Sequence, residues 1–320
     1  MIKVVTSIEN YTVSIVRGTN ISDTLPKTLE LLGGVESFFE AEDNIIIKPN
    51  VCGGVPEKIG TYTSIETISK LIKELKDKVK KISIAESNSS MYLADQMFEV
   101  NGINKIANEL GVEVINLSEG PMMEIPLEGG YTFDKIRISE KLAGARIVSM
   151  PVAKTHCTTE VTLNLKNMFG VLPARKKGKY HKRIDAVLAD LNKALPPTLC
   201  IVDATTCLEG EGPFHGNTVN LSLIVAGSNS VAVDSVMAKI MGFDPQKIMH
   251  IRLASELGLG PKKLDEIEIL GNDIGSVARN FERAPAENIS RPLSWIPGIG
   301  HLIVHYYYES AVRDWKKQTR

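Results

Sequence analysis

Short apolar runs recur along this chain, and a helical pattern follows most of them. "TVSIVRG", "DNIIIKPN", "KKISIAES", "VEVINLS", "ARIVSMPVAK", "TLCIVDATTCLEG", "LSLIVAGSN" and "DEIEILG" read as strands. Helical stretches lie between them: about Ser22 to Leu32, Thr63 to Lys76, near Tyr92–Phe98 and Ile103–Leu110, Ile184 to Leu195, Val231 to Met241 and about Ile248 to Leu257. In the second, Ile65, Ile68, Leu71, Ile72 and Leu75 fall on one face, with Ser64 near the start. Gly33-Gly34 suits the end of the first, because glycine accepts a left-handed turn. Such alternation predicts an α/β fold, a mostly parallel sheet flanked by helices. A continuous run such as "NIII" suits a strand buried on both faces. Met123 to Ile138 differs, with short alternating pieces around Gly129-Gly130. It reads as a β excursion, either an antiparallel edge or a domain crossover.

The 320 residues allow one large domain or two α/β lobes with a cleft, dividing near 120–150. Residues 1–275 form the α/β body, and 276–320 a C-terminal extension ending in an amphipathic helical tail. That tail offers Ile303, Tyr306, Tyr307 and Trp315 for docking onto the body or a second subunit, so a homodimer is an expected assembly. Its polar face is not strongly basic, which argues against membrane-surface contact. The 37 Lys and Arg nearly balance the 38 Asp and Glu, so no general nucleic-acid footprint exists. The start lacks a secretory signal, and no apolar stretch is long enough to span a bilayer, so a cytoplasmic location is expected. Cys52, Cys157, Cys200 and Cys207 form no C-x-x-C and read as free thiols, two of them buried in strands.

Ligands of open α/β sheets bind beyond the carboxyl ends of strands. Four such ends here carry dense chemistry. They are Lys48-Pro49-Asn50-Val51-Cys52, Glu86-Ser87-Asn88, Lys154-Thr155-His156-Cys157, and Asp203 followed by Cys207, Glu209 and Glu211. Polar residues fill loops in any protein. Lysine, histidine and thiol at one junction point instead to a site. Lys48 and Lys154 close buried strands, so each ammonium needs an anion or carbonyl partner. Substrate can supply that partner, or Glu86 can. Cys52 before Gly53-Gly54 reads as a turn residue or a reactive thiol. His156 reads as a cap, a metal ligand or an acid/base group.

Thr158 to Met168 reads as a helix with Thr159, Thr162 and Lys166 on one face. Its N-terminal N–H groups would attract an anion. Asn164 and Asn167 beside Lys166 argue against an ordinary solvated face. "ARKKGKYHKR" is a basic loop, either a solvated connection or a lid that carries charge to the ligand. Neither G-x-x-x-x-G-K-[ST] nor a post-strand G-x-G-x-x-G is present, so nucleotide binding lacks its usual signatures.

"IIIKPNVCGG" with "GTYTSIE", then "PVAKTHCTTEVTLNLKNMFGVLP", "IVDATTCLEGEGPFHG" and "NSVAVDSVMAKIMGFDP" resemble, in that order, the family called domain of unknown function 362. The match runs from about Ile45 to Gly271. The resemblance implies a fold and a site more than a reaction. Some members carry a ferredoxin-like iron–sulfur domain with clustered cysteines, a pattern not seen in these residues. The family is also distantly similar to the nickel-pincer lactate racemases, which use a lysine and histidines around their cofactor; Lys154, Lys166 and His156 are of the same kinds.

Three functions follow as expectations. The first is an enzyme binding a small anionic metabolite, carboxylate or phosphate. Lys48, Asn50, Lys166, Asn167 and Glu86 would hold it, and His156, Lys154 and Cys52 would carry the chemistry. The second is a redox protein with an iron–sulfur cluster or divalent metal on Cys52, Cys157, Cys207 and Glu209. The third is a non-catalytic binding subunit.

Overall fold

The structure, a computed structural model, describes residues 11–51, 59–89, 92–174 and 177–284. Strand β1 (Tyr11–Arg17) leads to α1 (Ile21–Glu30), and β2 (Asn44–Pro49) leads to α2 (Ile65–Leu75). After β3 (Lys81–Glu86) come α3 (Ala94–Val100), α4 (Ile103–Leu110) and β4 (Glu113–Asn116). Strands β5 (Met122–Pro126) and β6 (Lys135–Ser139) pair antiparallel in a sheet of their own. Next are β7 (Arg146–Met150), β8 (Val152–His156), β9 (Glu160–Thr162), α5 (Asn164–Asn167), α6 (Ile184–Ala194), β10 (Leu199–Glu209) and β11 (Asn217–Gly227). The rest is α7 (Ser230–Ile240), α8 (Met249–Glu256), β12 (Ile267–Gly271) and α9 (Ile274–Val277).

Residues at the helix ends explain several boundaries. Asn20 accepts from Ser22 N at the start of α1, Ser64 from Thr67 N at α2, and Asn229 from Val231 N and Ala232 N at α7. Gly33 and Gly34 have φ of 90° and 81°, and Gly34 N bonds back to Leu29 O at 2.8 Å. The glycine pair therefore closes α1, since a residue with a Cβ resists that conformation.

Among the described residues the main sheet has ten strands, in the order β12-β1-β11-β10-β7-β2-β3-β4, with β8 against β10 and β9 against β8. From β10 through β7, β2 and β3 to β4 every pairing is parallel; β11 runs antiparallel to β1 and β10. The sheet is thus mostly parallel and helix-flanked, as the alternation predicts. Ile45 and Ile47 pack with α1 to α4, while Ile46 packs with α6 on the opposite face. Burial on both faces is why that strand reads as an unbroken apolar run. On α6, Val187, Leu188 and Leu191 are fully buried. Each such side chain is worth roughly 1.5–3 kcal/mol over exposure. The 120–150 stretch holds the β5–β6 pair, after which β7 returns to the main sheet beside β2.

One expected element is absent. Residues 158–168 do not form a single helix. The chain turns after His156, and β9 folds back antiparallel on β8, with Lys154 opposite Thr162 and His156 opposite Glu160. Only Asn164–Asn167 is α-helical. The cause lies in Thr158, Thr159, Val161 and Thr162, whose branched Cβ atoms favour extended backbone. Of the C-terminal extension expected over 276–320, residues 285–320, the amphipathic tail included, lie outside the described residues.

Candidate functional site

Parallel pairing aligns the carboxyl ends of β2, β3 and β7, so Lys48, Glu86 and Met150 end neighbouring strands. Lys48 follows Ile46 by two residues and shares its face. Burial of that face leaves the Lys48 ammonium 1% exposed and in need of a partner. Glu86 Oε2 lies 2.7 Å away, and Asn167 Oδ1 accepts at 3.3 Å. Asn167 in turn donates to Lys48 O at 2.8 Å and Ser149 Oγ at 3.1 Å, locking α5 onto β2 and β7. The other Glu86 oxygen accepts from Ser87 N at 2.8 Å. Gly170 presses against this pair: a Cβ there would land on Glu86 Oε1 and Lys48 Nζ.

Lys154, fully buried on β8, donates to Asn50 Oδ1 at 2.9 Å and to Thr61 O at 2.6 Å. Asn50 is fixed by Thr63, whose Oγ accepts from Asn50 N and donates to Met150 O. Asp203 accepts from Ser64 N at 2.9 Å, tying β10 to the start of α2. Three of the four strand ends singled out in the sequence are thus joined around Asn50 and Met150.

His156 is buried, and Thr158 N donates to its Nδ1 at 3.1 Å. Nδ1 is therefore the unprotonated nitrogen, and the ring proton sits on Nε2. Burial first, then the charges of Lys166 and Lys154, hold His156 well below the ordinary histidine range. It is a neutral imidazole at pH 7. A lysine-rich setting lowers a thiol's pKa, and Lys166 does act that way on Cys157. Burial outweighs it and pushes Cys157 up to about 11, so this residue is a thiol rather than a thiolate.

The anion-attracting helix start expected near Thr158 does not exist. The helix that does form, α5, has its first N–H groups taken by Asp234, which accepts from Asn164 N and Leu165 N at 2.8 Å each. Asn164 Nδ2 adds a third bond at 3.0 Å. The protein has filled that position with its own carboxylate.

Lys166 lies partly exposed, its Nζ 4.9 Å from the centroid of the Phe169 ring. Its charge is felt at His156, Cys157, Lys177 and His181. The last two come from the basic segment, where Lys177–Arg183 form a 3-10 run packed on the site. Tyr180 and His181 meet Phe169 edge-on at 6.4 and 5.9 Å. Lys177 is 5% exposed and donates to Ser87 Oγ at 2.5 Å. The sequence hides Lys177 and His181 inside a charge run, the usual mark of a solvated loop. Tyr180 and His181, two rings among the cations, are the signal that one side of the segment packs.

Cys207 is buried in β10, and its thiol is pushed far up by burial first and then by Asp203 and Glu209. Glu209 is engaged by Arg279 at 2.9 Å and by Glu282 N at 3.1 Å. Among the described residues no three His, Cys, Asp or Glu side chains come together to hold a metal ion. Cys52, on which the redox expectation depends, lies outside them. A broad surface depression between α1 and the end of α2 is far from this chemistry. Lys27 and Glu30, and Lys78 and Glu36, pair with each other along its wall.

The family described as "Domain of unknown function (DUF362)" matches residues 45–239, a span holding every strand end just described. The chain belongs to this family. The chain is also similar to the "Thylakoid-associated protein sll1697" of Synechocystis sp., 26% identical over 246 residues that span 74% of this chain and 75% of that protein. A crystal structure of a Thermotoga maritima protein is 12% identical, with a TM-score of 0.37, and covers 81% of this chain. The chain spans 62% of that protein's length, and a likeness this shallow carries no argument. Among the described residues no helix is long and apolar enough to cross a membrane.

Proposed function

We propose that the protein is an enzyme that binds a small anion, of the carboxylate or phosphate class, in the cleft bounded by Lys48, Lys154, Lys166 and His156. The observation that supports this reading is the gathering of cations at Phe169: Lys166 Nζ and Lys177 Nζ lie 4.9 and 5.8 Å from the same ring centroid, and the Lys166 charge, second to burial, disfavours the charged forms of His156 and His181. A region where cations gather beside buried and half-buried titratable groups is one where an incoming anion is stabilised.

The residues then divide their work. Lys166, partly exposed, meets the ligand first. Lys154 and Asn50 hold each other in place behind it, and Lys48 does the same with Glu86 and Asn167. His156 offers a neutral Nε2–H, a donor suited to a carbonyl or oxyanion that gains charge during reaction.

Thermal stabilisation of the intact protein by inorganic phosphate and by a panel of mono- and dicarboxylates tests the reading. At least one should raise Tm, and Lys166→Met should remove that rise while leaving the unliganded Tm nearly unchanged. Stabilisation by none of them, or full stabilisation of Lys166→Met, would sink it.

A further inference from the structure

Lys177 has no part in that division of work, yet its placement is unusual for a lysine in a basic loop. It is among the buried residues, on a segment whose neighbours Lys179 and Lys182 are exposed. Its Nζ reaches Ser87 Oγ, immediately after the carboxyl end of β3. Ser87 spends its own proton on Gly170 O at 2.6 Å, so its oxygen can only accept from Lys177. Phe169 brings the two lysines together, with Lys166 Nζ 4.9 Å and Lys177 Nζ 5.8 Å from the same ring centroid.

We propose that Lys177 is a further binding group for the anion held by Lys166, and that it takes up a proton as the anion binds. This rests on the proposed anion cleft and adds a residue and a proton to it.

The charged groups facing Lys177 make the coupling follow. Glu86 on β3 favours its ammonium, while Lys48 on β2 and Lys166 on α5 oppose it; His181 shares its segment and packs on the same ring. Burial outweighs all of these and brings Lys177 down to about 7. Near neutrality the residue is thus divided between amine and ammonium. An anion placed beside it favours the ammonium and draws a proton from solvent. Above about pH 7 the affinity should then fall by up to about tenfold per pH unit, and below it level off. His181, held down to about 4, and His156, held lower than an ordinary histidine, contribute little proton uptake in that range.

Titration calorimetry of the full chain with sulfate, in two buffers of different ionisation enthalpy, reads the proton directly. Sulfate stands in for phosphate because it does not itself titrate here; oxalate serves for carboxylates. At about pH 8 the wild type should take up close to one proton per anion bound. Lys177→Met should bind more weakly with no uptake. Lys177→Arg keeps the charge permanently and should bind with no uptake and an affinity flat across that range. Binding to the wild type without proton uptake, or uptake that persists in Lys177→Arg, overturns the role of Lys177 and leaves the cleft standing. Absence of binding by either anion overturns the cleft itself.

Discussion

Lys48 Nζ sits 2.7 Å from Glu86 Oε2, with the two side chains only 1% and 9% exposed. A buried ion pair stabilises little in net terms, but breaking it strands one charge. Glu86→Gln should therefore cost about 3–5 kcal/mol in urea unfolding, because Lys48 loses its counter-charge. Lys48→Met with Glu86→Leu should recover much of that loss. If the double variant is as unstable as the single, the cost comes from something other than the stranded charge.

Gly170 is fixed by the same pair. A methyl group there would meet Glu86 Oε1 and Lys48 Nζ, both buried and unable to retreat freely. Overpacking of this kind costs about 1–3 kcal/mol. Gly170→Ala should lower the free energy of unfolding measured in urea by that amount and also displace Ser87, which donates to Gly170 O. A variant of unchanged stability would mean that the 3-10 turn shifts to make room.

What could be read from the sequence follows from how local each cause is. The face of α6 is visible because Ile184, Val187, Leu188 and Leu191 sit close together in the chain and all point one way. The strand ends allow the Lys48–Glu86 pair without requiring it, since two buried strands each finish on a charge. The 158–168 segment misled because Thr159, Thr162 and Lys166 satisfy helical spacing by chance. Its branched residues were the better guide, and pairing with β8 decided the outcome. For Lys177 the nearby Tyr180 and His181 signal only that the segment packs; its partners, Ser87 and Phe169, come from elsewhere in the fold.

Asp190, fully buried on α6, accepts from three successive backbone N–H groups: Tyr131 and Thr132 at 2.7 Å and Phe133 at 3.0 Å. It holds the turn between β5 and β6 against the body. Asp190→Ala removes all three acceptor contacts, and an unsatisfied donor costs about 1–3 kcal/mol if water cannot reach it. Hydrogen exchange should quicken at residues 131–133 and far less on the main sheet. Acceleration spread evenly over the chain would show that the clamp is not local.

Asp234 links stability to pH. Burial pushes its carboxyl up to about 6 from 3.8, while its bonds to Leu165 N and Asn164 act the other way without prevailing. A carboxyl with a raised folded-state pKa binds its proton more tightly in the native protein. Its contribution is therefore present below the unfolded value of 3.8 and is lost as pH rises through about 6. The shift corresponds to roughly 3 kcal/mol at most. Other carboxylates titrate in the same window, so the difference between wild type and Asp234→Asn isolates this one. That difference should slope between about pH 4 and 6 and be flat above. A difference that is flat between about pH 4 and 6 would mean that Asp234 is already ionised in the native protein over that range, held by its three N–H donors.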